Sequence, residues 1–305
     1  MPQHFQLEQL ADGVYAAVAA DTGAAGGNSG FVDLGDGLLI FDAMVTSMAV
    51  RDLIAAAQDI TGHPLTAVIN SHLHFDHILG NRAIPHGVDI IATTLTVDLI
   101  RERVIPFVEE QRKSLPEQVQ ALEAQLQAET DEEKGKSLSA RLAMFRMILD
   151  EPHALEVRLP TRTFDERWVF DGSARSAELI PLRGHTESDS ILYLPQDGIV
   201  FVGDLLFNGR HPWMLESDPT AWVQTLEYIE AMKPQIVVPG HGPVTDCTAL
   251  STLRGYILTL LDLAADLVAR GGSPDDVTVP PAFAHLQPGQ LFTDNLRHVV
   301  KRLTE

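Results

Sequence analysis

The sequence predicts an α/β fold, an αββα sandwich with helices outside two packed sheets. Two patterns carry that expectation. Short apolar runs bounded by Gly, Asp and Asn gather into two strand-rich blocks, and each block is followed by segments with helical spacing. A third observation sets the scale: 305 residues, 45% hydrophobic and 21% charged, suit a globular chain with a real core. Disorder, collagen and coiled coil would look different. The chain reads as one domain over 1–305, with a helical insert at 95–151 and a helical tail at 247–305. It has no repeat of solenoid period.

Val14–Ala19, Ser29–Leu34 and Leu38–Asp42 read as strands, the last two joined as a hairpin by Gly35-Asp36-Gly37. Ser47–Ile60 has helical spacing, with Ser47 as N-cap. Thr66–Asn70 and Asp89–Ala92 are short buried strands, and Ile78–Ile84 begins a helix. Residues 95–151 are rich in Glu, Gln, Leu, Ala, Arg and Lys, which predicts two or three helices with a charged turn at Asp131–Lys136. Strands return at Thr163–Phe170, Ser176–Leu182, Ser190–Leu194, Ile199–Val202 and Gln235–Val238. Helices are expected at Pro219–Met232, Thr248–Ala269 and Leu291–Leu303, with Pro219 suited to a first turn.

Charge narrows the partners. Lys and Arg number 22 against 42 Asp and Glu, a formal charge of −20, which disfavours a phosphate backbone and hence a nucleic-acid partner. A single cysteine, Cys247, excludes an intrachain disulfide. No apolar run reaches the ~18 residues of a membrane span, and residues 1–8 lack the basic and apolar regions of a signal peptide. A cytoplasmic protein acting on a small molecule is the expectation.

The chemistry concentrates in His72-Leu73-His74-Phe75-Asp76-His77, directly after a strand. Imidazole and carboxylate are the ligands of borderline divalent metals. Residues two apart in extended backbone point the same way, so His72 and His74 can grip one ion. A bend after Phe75 turns Asp76 and His77 toward a second. Three histidines and an aspartate packed there without such a role would crowd polar groups that need partners. His185 in Gly-His-Thr, Asp204 in Gly-Asp and His241 in Gly-His-Gly each follow a predicted strand.

With these motifs in this order, the sequence resembles the metallo-β-lactamase-fold hydrolases over residues ~10 to 245. The resemblance implies two metal sites at one edge of the αββα sandwich. It assigns His72, His74 and His185 to the first ion and Asp76, His77 and His241 to the second, with Asp204 bridging. The expected cofactors are two Zn²⁺, with iron or manganese as alternatives. A water bridging two zinc ions is acidified toward neutrality, giving a hydroxide that attacks a small carbonyl substrate: ester, thioester, lactone or amide. Asp76 would orient it and relay its proton.

From His77 to His185 is 108 positions, more than in compact members of that family, and the excess falls on 95–151. Such an insert caps a pocket or mediates homodimerisation. Ser71, Thr186, Ser188 and Asp189 flank ligands and suit hydrogen-bonding support. Phe207, His211 and Trp213 are candidate pocket residues. His4, His63, His86, His153, His285 and His298 read as surface or structural. Lactone-cleaving relatives place a tyrosine three residues after the bridging aspartate, where this chain has Phe207, so weak lactone hydrolysis is expected. A mononuclear iron enzyme resembling persulfide dioxygenases is the first alternative, and a phosphodiesterase the second.

Overall fold

The structure is a computed structural model that describes residues 4–20, 24–150 and 155–305. His153 lies outside the described residues. Contacts group the chain into two compact units, one of Met1–Asp165 with Phe170–Ser176 and one of Glu166–Val169 with Ala177–Glu305.

The first unit is built on a seven-stranded sheet: β1 (Phe5–Ala11), β2 (Val14–Ala19), β3 (Ser29–Asp33), β4 (Leu38–Phe41), β5 (Leu65–Ile69), β6 (Asp89–Thr93) and β7 (Arg162–Phe164), in sequence order. Strands β1 to β4 run antiparallel and β4 to β7 parallel. The parallel half places the ends of β4 and β5 side by side, and the candidate ligand segment, His72–His77, leaves from β5. Helix α1 (Ser47–Thr61) returns between them and buries Val50, Leu53, Ile54 and Ala57 on Phe31, Ile40 and Val68. Its cap is Thr46 rather than Ser47. The Thr46 hydroxyl accepts from Ala49 N–H and also reaches Ala24 O at 2.7 Å, so it anchors the helix to a second segment. Strand β1 was not expected from the sequence; most of it is half-exposed, and its apolar alternation is weak.

After β5 the chain forms a one-turn helix α2 (Phe75–Ile78) and a 3₁₀ turn at Leu79–Ala83, in place of the helix expected at Ile78–Ile84. A close approach decides this. Gly80 N–H donates to Met44 O at 3.0 Å, and a Cβ on Gly80 would stand 1.8 Å from Ala43 O.

The insert contains α3 (Thr94–Leu99), a π turn (Ile100–Val104), α4 (Ile105–Ala128) and α5 (Glu132–Asp150). Its turn is at 129–131, earlier than the charge pattern suggested. The Glu129 carboxylate takes the N–H groups of Thr130 and Asp131 at 2.9 Å, and Asp131 accepts from Lys134 N–H at 3.1 Å, which starts α5. The insert has two apolar cores. At its base Ile100, Val104, Val108, Leu115 and Ile148 pack with Leu73, Ile78 and Leu79 of the ligand segment. Toward its tip Val119, Leu122 and Leu142 form a small cluster of their own.

The second unit carries a five-stranded sheet in the order β12-β11-β10-β9-β8, made of β8 (Trp168–Asp171), β9 (Ser176–Leu182), β10 (Asp189–Leu194), β11 (Ile199–Phe207) and β12 (Ile236–His241). The single strand expected at Thr163–Phe170 is therefore two, β7 and β8. Helices α6 (Pro219–Ala231), α7 (Cys247–Arg270) and α8 (Gln290–Thr304) bury Trp222, Tyr256, Leu260, Phe292 and Leu296 with Val200 and Leu206. Strand β11 runs five residues past the expected end. Its parallel pairing with β12 shifts register between Phe201 and Gly203 and again between Gly203 and Phe207. Among the described residues no helix is long and apolar enough to cross a membrane.

Leu73 is 2% exposed and joins the ligand segment to the base of the insert. Leu73→Ala is expected to cost about 2–5 kcal/mol, whereas a short linker in place of 118–143 should leave the melting temperature of the rest nearly unchanged. Urea and thermal unfolding of the two variants check this.

Candidate metal centre

In the first unit the ligand segment is set by a carboxylate that the sequence reading missed. Asp42 follows β4 with φ of 67°, in the left-handed region, and its side chain is 1% exposed. Its Oδ1 accepts the Ser71 N–H at 2.7 Å, and its Oδ2 accepts the Ser71 hydroxyl at 2.8 Å and His77 Nδ1–H at 2.8 Å. Because the Ser71 hydroxyl donates to Asp42, its oxygen accepts from His72 Nδ1–H at 2.9 Å. Both imidazoles are thereby held as Nδ1–H tautomers with the Nε2 lone pair directed away from the Asp42 network, the state a metal ligand requires. The ends of the segment are tied as well. Asn70 and Asn81 exchange amide hydrogen bonds of 3.1 and 2.8 Å, and Asn70 also donates to His77 O at 3.3 Å.

His72 and His74 converge with ring centroids 4.7 Å apart, although the backbone at His72 and Leu73 bends rather than running extended. Their ligand atoms lie within 4.8 Å of each other. Helix α2 then brings Asp76 and His77 together, with Asp76 Oδ2 3.7 Å from His77 Nε2.

In the second unit His185 follows β9, as expected, but Asp204 lies inside β11 and His241 is the last residue of β12. Register shifts fall on both sides of Gly203, next to Asp204. His185 Nε2 stands 3.4 Å from Asp204 Oδ2, and His241 Nε2 stands 3.4 Å from Asp204 Oδ1. One carboxylate thus reaches two imidazoles, one with each oxygen. Gly240 makes room for it, since a Cβ there would fall 2.0 Å from Asp204 Oδ1. Trp222, a residue with no signal in the sequence, packs edge-on to His185 at 5.3 Å while its indole N–H donates to Leu205 O. Thr186 is fixed by Asp189, which accepts its N–H at 3.0 Å and its hydroxyl at 2.8 Å.

The three candidate pocket residues separate. Phe207 is buried, stacked on His241 at 5.1 Å and tilted 5.5 Å from His185. Trp213 is 41% exposed. His211 is buried beside Tyr256 and Phe292. Asn295 donates to the Tyr256 hydroxyl at 3.2 Å, and that hydroxyl is hydrogen-bonded to His211 Nδ1 at 3.1 Å. Burial, and secondarily the charge of His285, push the His211 imidazolium down from the usual histidine range. Burial pushes the Tyr256 phenol up. Both directions agree with a protonated phenol on a neutral imidazole.

Each unit therefore offers imidazole and carboxylate donors of the kind that borderline divalent metals take, already oriented by neighbours in the protein. The family model of the metallo-β-lactamase superfamily matches residues 22–241, a span that contains all of these donors. The chain belongs to the metallo-β-lactamase superfamily. Solved structures agree on the fold. The metallo-β-lactamase from Pontibacter korlensis superposes with a TM-score of 0.61 at 17% identity, covering 84% of this chain and 99% of its own. The DIM-1 metallo-β-lactamase gives 0.59 at 16% identity, covering 84% and 98%. Among curated proteins, the linear primary-alkylsulfatase of Pseudomonas sp. (strain ATCC 19151) is 22% identical over 291 residues. That match covers 89% of this chain, and the chain spans about half, 54%, of that relative. The superfamily is one of metal-dependent hydrolases, and the αββα class read from the sequence is the superfamily's fold.

Two outcomes follow. Asp42→Asn keeps the shape but weakens acceptance from His77 and Ser71, and is expected to lower metal affinity about 10- to 100-fold, measured by competition with a chromogenic chelator. For His211, the folded value lies below the unfolded one, so between them the unfolded chain binds more protons and stability rises with pH. Acidification below ~6.5 should destabilise the protein, and His211→Phe should melt with a smaller drop between pH 7.5 and 5.5 than the parent chain.

Proposed function

We propose that the chain is a dinuclear metal-dependent hydrolase of a small ester-type substrate. In this reading His72, His74 and His185 hold one ion, Asp76, His77 and His241 hold the other, and Asp204 serves both. The observation that carries it is the Asp204 carboxylate, with an imidazole 3.4 Å from each oxygen. Membership of the superfamily supports it, since the matched span contains both donor groups. Two divalent ions, zinc first with iron or manganese as alternatives, would supply an acidified water and Lewis acidity at neutral pH.

The chain's own residues do the rest. Ser71 and Asp42 hold His72 and His77 in one tautomer, so no reorganisation is needed on binding. Asp76, 17% exposed, is the carboxylate reachable by solvent and takes up and passes on the proton released by the attacking water. Phe207 closes off one side of His241 with an apolar ring and offers no hydroxyl to a substrate carbonyl.

The primary substrate class is a carbonyl ester or thioester. A second reading, an alkyl sulfate ester, is favoured by the likeness to the linear primary-alkylsulfatase over 89% of this chain. Lactones should be poor substrates, because an absent oxyanion donor costs on the order of 10²–10³ in rate. Metal analysis with kcat/KM for a nitrophenyl ester, a thioester, an acyl-homoserine lactone and a linear alkyl sulfate distinguishes them. Asp204→Asn should lower metal content or turnover at least ~10-fold. Unchanged metal and turnover in that variant would remove the dinuclear assignment.

A further inference from the structure

The second unit contains a cavity of about 210 Å³ that none of the donors described above lines. Three segments wall it: 207–212 at and beyond the end of β11, 245–256 entering α7, and 283–286 ahead of α8. Hydrogen bonds tie the first segment to residues beside the other two. Arg210 bridges Gln287, His211 N–H donates to Gln287 O at 3.2 Å, and Asn208 donates through its amide side chain to Pro243 O at 2.9 Å.

The lining divides by chemistry. Phe207, Leu253, Tyr256 and Phe283 are buried and present aromatic and aliphatic surface. The Tyr256 ring is fixed from behind by His211 and Asn295. Thr245, Thr248 and Thr252 contribute small polar groups. Arg210 supplies a fixed positive charge, with the His285 imidazole also in the lining, and no carboxylate is among the lining residues. The Arg210 guanidinium has no hydrogen bond or ion pair among the described residues. Arg210 and His285 are both exposed, and no acidic side chain stands among the lining residues to compete for the guanidinium. A planar guanidinium with five donors matches a carboxylate in two-point contact, and a cavity of this size holds a ring or a short branched chain.

We propose that this cavity binds a small organic monocarboxylate with an apolar body, the carboxylate on Arg210 and the body on Phe207, Tyr256 and Phe283. Phe207 is also the ring stacked on His241, so the cavity and a ligand-bearing strand share a wall.

Benzoate is the probe and benzyl alcohol its uncharged counterpart, both titrated calorimetrically into the full-length protein. Saturable benzoate binding is expected, at least tenfold tighter than benzyl alcohol, as for a hydrogen bond to a charged group. Arg210→Gln should weaken benzoate at least tenfold and leave benzyl alcohol unchanged. Ala249→Leu, which fills the cavity from α7, should abolish both while the melting temperature shows the variant folded. Repeating the titration after chelation separates this site from the metal centre, because binding to the cavity persists without metal. No saturable binding, equal affinity for the two probes, or benzoate binding that survives Ala249→Leu and vanishes on chelation would overturn the proposal. Each of these outcomes is independent of whether the chain hydrolyses esters.

Discussion

The imidazole donors of the first unit depend on one buried carboxylate. Asp42 accepts three hydrogen bonds from Ser71 and His77, and through Ser71 it sets the tautomer of His72. A carboxylate so placed is costly to bury alone and strongly favourable when fully satisfied. It also requires a left-handed backbone at a residue other than glycine, a conformation that aspartate tolerates better than most. The close approach of Gly80 to Ala43, the Asn70–Asn81 amide pair and the Thr46 anchor all secure the neighbourhood of that strained turn. The second unit uses the opposite geometry, one carboxylate with an imidazole near each oxygen, and needs a glycine where Asp42 needed hydrogen-bond donors.

Much of this was legible in the sequence. The ligand-type residues stand in short motifs next to strands, so their positions could be read from composition and order. Long elements with a strong apolar period, α1 and α7 above all, were read within one or two residues. Failures came where tertiary contacts outweigh local pattern. Strand β11 was cut short because Gly203 and Asp204 look like a strand end, whereas paired bulges let them continue inside it. The insert turn was misplaced because a charge cluster, Asp131–Lys136, turned out to be a capping aspartate followed by helix. Ser47 and Thr46 are both competent caps, and a hydrogen bond to distant Ala24 decides between them.

Asp42 was missed for a different reason. A lone acid after an apolar strand has no local signature, and its role exists only because parallel pairing of β4 with β5 lays Phe41 beside Ile69 and so Asp42 beside the start of the ligand segment. Trp222 is similar. It is an apolar residue on an ordinary amphipathic helix until its ring meets His185. Supporting residues of this kind are visible only when topology is known, while the imidazoles and carboxylates they support declare themselves by type.

The divided core of the insert has a consequence for how the protein moves. The tip, whose own cluster among the described residues is Val119, Leu122 and Leu142, can open and close locally at little cost, and its amides should exchange quickly with solvent. The base cannot, because Leu73 sits between His72 and His74 and its side chain belongs to the same apolar cluster as Val108 and Ile148. Opening the base withdraws packing from the histidines themselves, so the inner turns of α4 and α5 and the ligand segment form one cooperative element. Substitutions in the outer half of the insert would therefore be absorbed locally, while those in its inner half would reach the His72–His77 segment.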